Sequence, residues 1–199
     1  MKKRINFFSI GVVWGTPAFL FLIALFLCGV IAGGFTGLMD GAQGSVTRLA
    51  DYMVAGAGAE AVSSGAQALG ALCGTLVWLA LCLLAGALTP YSLFLAAVVA
   101  ARGFMLSFTV AASVGGLGMR GVWLSLATAG LPALVTVPCM LTVASAAFLA
   151  ASEAPHGRRG GYLYALGRYR GALALCAGLS GAAALLRVTA APLLLRLLQ

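Results

Sequence analysis

Five long apolar stretches, divided by short segments that collect nearly all the charge, run the length of this chain. The first follows Lys2, Lys3 and Arg4 and stays uncharged from Ile5 to Met39, which is enough for one helical crossing of a bilayer, placed at 12–37. The next uncharged run, Ala61 to Ala101, is too long for one crossing and is interrupted at Thr89-Pro90-Tyr91. Proline lacks an N–H and disfavours helix in the residue before it, so the run predicts two spans, 68–89 and 92–114. The turn between them is so short that the two must be antiparallel neighbours. A fourth span, 121–148, follows Gly118-Met119-Arg120-Gly121 and carries Pro132 and Pro138. Each proline removes a helix hydrogen bond, which predicts a kinked or unwound middle. The fifth, 171–192, has Arg187 in its last third. The expected fold is an all-α integral membrane protein, a single transmembrane helical domain over residues 1–199.

The segment between the first two spans reads differently. Val46, Leu49, Ala50, Met53 and Ala57 recur at helical spacing, with Arg48 and Asp51 on the opposite face. Ser45 can cap this helix and Gly56 and Gly58 can end it. The pattern predicts a short amphipathic helix on the outer membrane surface, where Arg48 and Asp51 would face a partner.

Composition excludes a soluble domain: 62% of the chain is apolar and 8% is charged, against about 25% charged in ordinary globular proteins. The formal charge of +8 sits beside the apolar runs rather than in a stripe, so it reads as membrane-topology charge and not as a nucleic-acid surface. With the N-terminus cytoplasmic, the inner segments hold Lys2, Lys3, Arg4, Arg158, Arg159, Arg168 and Arg170, and the outer ones hold Arg48, Arg120 and Arg196. That excess of inner cations predicts an N-terminus inside and a C-terminus outside. Tyr162, Tyr164 and Tyr169 among the inner arginines read as an interfacial aromatic belt. A basic start before an apolar run also opens a signal peptide, but this run far exceeds the roughly 7–15 residues of a cleaved apolar region. A retained first span is expected.

Catalytic chemistry finds little material. The spans hold no Ser/His/Asp set and no paired carboxylates, and the sequence has no phosphate-binding G-x-x-x-x-G-K-[ST] loop. Cys28, Cys73, Cys82, Cys139 and Cys176 all fall in apolar stretches with no C-x-x-C pair, and read as small buried hydrophobes. His156 lies alone in a polar loop. No enzyme, metal or cofactor is expected.

Two features remain. Gly29, Gly33 and Gly37 recur every four residues, and Gly70 and Gly74 repeat the step, which predicts small-residue faces where helix backbones approach closely. The helix that meets them is another span or another protein, a second copy of this chain included. Arg102 falls near the middle of the third span, where a cation costs about 2.5–3.5 kcal/mol on insertion scales. Backbone carbonyls, water, a lipid phosphate or a partner's carboxylate would offset it. Together with the broken fourth helix it could also form an anion-attracting site at the bilayer midplane, as in a small transporter or permease subunit.

Arg102-Gly103-Phe104, Phe108-Thr109-Val110, Gly118-Met119-Arg120-Gly121, Leu131-Pro132 and Val137-Pro138 resemble, in that order, the central region of the stage II sporulation protein M family. Gly29-Val30-Ile31-Ala32-Gly33 and Pro192 are similar to that family's first and last spans. The chain departs from it at Arg187, which replaces an acid, and at Ala133-Leu134, which replace polar amides. The resemblance implies a non-catalytic multi-pass scaffold of the engulfment machinery, in the cell membrane at the sporulation septum. Its implied partners are the peptidoglycan-degrading stage II sporulation proteins D and P.

The charge pattern generates a test of topology. Alkaline phosphatase fused after Ala57 or Gln199 should be active and after Gly160 inactive; activity at Gly160 would overturn the orientation.

Overall fold

The computed structural model describes residues 15–39, 64–126, 130–153 and 159–197, which are helical almost throughout and contain no strand. Among the described residues seven α-helices succeed one another: α1 (Pro17–Met39), α2 (Ser64–Ala87), α3 (Tyr91–Leu117), α4 (Met119–Ser125), α5 (Leu131–Glu153), α6 (Arg159–Leu166) and α7 (Arg170–Leu197), with a 3₁₀ turn at Gly167–Tyr169 before α7. Among the described residues, three segments are long and apolar enough to cross a membrane: Pro17–Leu38, Tyr91–Gly115 and Leu131–Glu153. A shorter apolar segment, Leu72–Ala87, lies in α2. The segment read as an outer amphipathic helix, with Arg48 and Asp51, lies outside the described residues.

Helix ends follow local chemistry. Pro17 opens α1 at a position where its missing N–H is not needed, and Phe19 and Leu20 donate back to the Thr16 carbonyl at 3.0 and 3.4 Å. Residues 88–90 separate α2 from α3, and Pro90 stands extended before Tyr91 with φ −85° and ψ 117°. Gly118 reverses the chain between α3 and α4 at φ +58°, a backbone that L side chains rarely adopt, and its N–H donates to the Val114 carbonyl at 2.9 Å. The expected fourth span corresponds to two described helices, α4 and α5. α4 ends at Ser125 and α5 begins at Leu131, with π-type backbone at Leu126 and Gly130, and 127–129 lie outside the described residues. Pro132 is tolerated because it occupies the first turn of α5. Pro138 lies inside α5, where the Thr142 hydroxyl donates to the Pro138 carbonyl at 2.7 Å. The last helix runs on past Pro192 to Leu197.

Contacts fix the relative directions of the long helices. Gly29, Gly33 and Gly37 of α1 lie against Ala100, Phe104 and Ala111 of α3 in rising order, so α1 and α3 are parallel. Gly86 near the end of α2 meets Ala147 near the end of α5, while Gly181 of α7 meets Leu72 in the first half of α2. Directions therefore alternate through α1, α2, α3, α5 and α7.

α5 is the centre of the bundle. Every residue from Cys139 to Ala147 is buried, and the helix touches α1, α2, α3, α6 and α7. A helix enclosed on all sides needs small residues if neighbours are to approach, and Ala144, Ser145, Ala146, Ala147 and Ala150 supply them. At one end of the bundle, α6 is pinned by Tyr162. Its hydroxyl donates to the Leu83 carbonyl of α2 at 2.8 Å, and the ring is 8% exposed. Tyr91 at the start of α3 packs edge-on against Phe148 of α5 at 5.4 Å between centroids. The 88–90 turn and α6 thus share one end of the molecule.

Burial first, and the proximity of Cys82 second, push the Tyr162 phenol up to about 12. A proton held more tightly in the folded state gives stability that is complete below the unfolded value near 10 and is lost as pH rises towards 12. In detergent, Tyr162→Phe should cost about 0.5–1.5 kcal/mol and remove the Tyr162 part of that alkaline loss. Unchanged alkaline unfolding in the variant would show that the phenol contributes nothing.

Candidate functional site

Hydrocarbon gives helices no hydrophobic reason to associate, because lipid tails are as apolar as leucine; close backbone approach supplies van der Waals contact instead. The α1–α3 pair uses that device. A Cβ added at Gly29 would collide with the Ala100 carbonyl oxygen, and one at Gly33 with the Phe104 carbonyl oxygen. A Cβ at Gly103, reaching the other way, would stand 2.5 Å from the Phe26 carbonyl oxygen. At Gly37 it would be 2.7 Å from the Ala111 Cβ. The obstacles at the first three positions are backbone atoms that no rotamer change can move. Gly34 is different, since a Cβ there meets only the Ser107 hydroxyl at 3.0 Å. The seam is therefore internal. Phe104 and Phe108 stack beside it on α3 with centroids 5.9 Å apart.

Among the described residues, no neighbour reaches the face expected as a seam at Gly70 and Gly74. A Cβ at either position meets nothing within 4 Å, because no described helix comes up to that face of α2.

Arg102 stands one residue before Gly103 on α3, and its guanidinium carbon lies 5.1 Å from the centroid of the Trp78 ring on α2. The ring face is the negative end of the indole quadrupole, and such a contact is worth about 2 kcal/mol when desolvated. That figure is comparable to the cost of inserting the cation, so the α2–α3 packing offsets much of what Arg102 costs. The carbonyls, water, phosphate or partner acid weighed from the sequence left out an aromatic ring in the same bundle. Trp78 could have been found: an arginine and a tryptophan in two spans joined by a tight turn have matching depth when one stands about as far before the turn as the other does after it.

Of the other residues singled out, Gly118 provides the positive φ described above and Gly121 lies in α4. Pro132 and Pro138 belong to α5. Arg187 lies in α7, and its side chain is outside the described residues. Gly86, which the sequence did not mark, makes the α2–α5 approach: a Cβ there would stand 3.0 Å from the Ala147 Cβ and 2.7 Å from the Tyr162 hydroxyl. Among the described residues, no group of three His, Cys, Asp or Glu side chains is placed to hold a metal ion.

Compared with known proteins, the chain matches no family model, no curated protein and no solved structure.

The seam predicts a contrast between neighbours. Gly33→Ala forces a methyl group into a backbone carbonyl and should cost about 1–3 kcal/mol, as overpacking does, visible as a thermal midpoint lowered by several degrees in detergent. Gly34→Ala should be nearly neutral, since the Ser107 side chain can turn away. Equal tolerance at both positions would refute the close approach.

Proposed function

We propose that this protein is a multi-pass membrane scaffold that performs no chemistry of its own and holds other proteins in the bilayer. The observation that carries the reading is the engagement of Arg102 by Trp78. The intramembrane cation, the feature that a transporter would turn towards its substrate, here joins α2 to α3. A charge used in this way serves assembly, as the glycine seam does.

In this reading the chain crosses the membrane five times, with its N-terminus cytoplasmic and its C-terminus outside. The alternating helix directions support that count. The 88–90 turn and α6 share one end of the bundle, and the cation distribution assigns both to the cytoplasm. The resemblance to the stage II sporulation protein M family supplies the proposed setting, the sporulation septum, and the proposed partners, the peptidoglycan-degrading proteins D and P.

Deleting the gene in a spore-forming host should arrest engulfment. A copy carrying Arg102→Lys should restore it, because an ammonium also binds an indole face. Normal engulfment without the protein would overturn the sporulation assignment. Substrate movement by purified protein in liposomes, abolished by Arg102→Lys at unchanged abundance, would overturn the scaffold in favour of a transporter.

A further inference from the structure

Five hydroxyls in the described apolar helices satisfy themselves. Thr36, Thr109, Ser113, Thr142 and Ser145 each donate to a carbonyl three or four residues back on their own helix, which removes the cost of a bare hydroxyl in hydrocarbon. Ser180 breaks the pattern. It is 0% exposed, and its Oγ has no hydrogen-bond partner. It stands one helical turn after Cys176 on α7, and both face Cys139 of α5. The Cys139 thiol lies beside the Cys176 thiol and close to the Ser180 hydroxyl, which makes no hydrogen bond. Both cysteines are free, buried and part of the central core.

Two thiols and an idle hydroxyl thus converge where α5 and α7 pack. We infer that they form a binding site for a soft monovalent d¹⁰ cation of the Cu(I) class, ligated by the sulfurs of Cys139 and Cys176, with the Ser180 hydroxyl donating to the Cys139 sulfur. Thiolates select such ions over hard cations. Structural zinc takes four ligands, which the cluster does not offer, whereas two sulfurs suffice for a linear Cu(I) site. Binding exchanges the two thiol protons for the cation and releases both to solvent. The complex is left with one negative charge in a low-dielectric core. A hydroxyl that donates to the charged sulfur offsets part of that charge, which gives Ser180 the partner it lacks.

The test uses the full-length protein in detergent with the exposed Cys28 and Cys73 replaced by alanine. Cu(I), kept reduced with ascorbate and buffered by bicinchoninate, should be retained at about one equivalent. Cys139→Ala or Cys176→Ala should each abolish retention. Ser180→Ala should keep the stoichiometry and weaken affinity by about tenfold, the scale of a hydrogen bond to a charged group. Zn(II) offered alone should not be retained. Three results would overturn the site: no copper on the Cys28→Ala/Cys73→Ala protein, copper that persists after both core cysteines are replaced, or zinc retained in preference to Cu(I).

Discussion

The direct contact of two helix backbones, α1 on α3, is the constraint on which the rest of this bundle depends. In water, packing apolar faces together would suffice to join them. Within a bilayer that drive is absent, and what remains is dispersion between atoms that can come very close. Gly29, Gly33 and Gly103 make this possible by having no Cβ where the opposite helix places a carbonyl oxygen. Because the contacts run in register along both helices, they also fix direction: α1 and α3 must be parallel, so the chain has to return between them. α2 is that return. The 88–90 turn then brings α2 back beside α3, which is how Trp78 reaches Arg102.

Much of this was legible in the chain. The apolar runs locate every long helix to within a few residues at most ends, since the pattern of charge and proline is read directly by the bilayer and by the backbone. The glycine step in α1 was also legible as a packing face. The same step in α2 was not informative, because spacing shows that a close approach is permitted and not that a neighbour arrives. Gly86 makes the converse point: a solitary glycine with no repeat marks the α2–α5 approach, and only the meeting of Ala147 with it reveals the role. Proline shows a similar dependence on context. Proline inside a helix is disruptive and proline in a first turn is not, and which applies to Pro132 depends on where the helix begins.

Among the described residues, most buried polar groups follow one rule. A hydroxyl or a guanidinium in the apolar interior is satisfied by the helix that carries it or by the helix beside it. Thr142 illustrates the first case and Tyr162, at the bundle's end, the second, with its phenol bonded to Leu83. Ser180 is informative because it follows neither course while lying next to two thiols. None of this could be read from the sequence, where Ser180 is a lone serine in an apolar run and Cys139 and Cys176 stand far apart.

The two ends of the bundle are held by different means, and that difference bears on the scaffold reading. At the end that carries α6, a hydrogen bond from Tyr162 and the Tyr91–Phe148 contact tie α2, α3, α5 and α6 together. At the other end, Gly118 reverses the chain between α3 and α4, and Met119, Trp123 and Leu126 are largely exposed. Tyrosine contacts between helices hold the first end, and a positive-φ glycine turn shapes the second. A scaffold needs one part that holds its shape and another that can adjust to what it holds. In the proposed scaffold the first is the end held by tyrosines around α5, and the second lies where α3 gives way to α4.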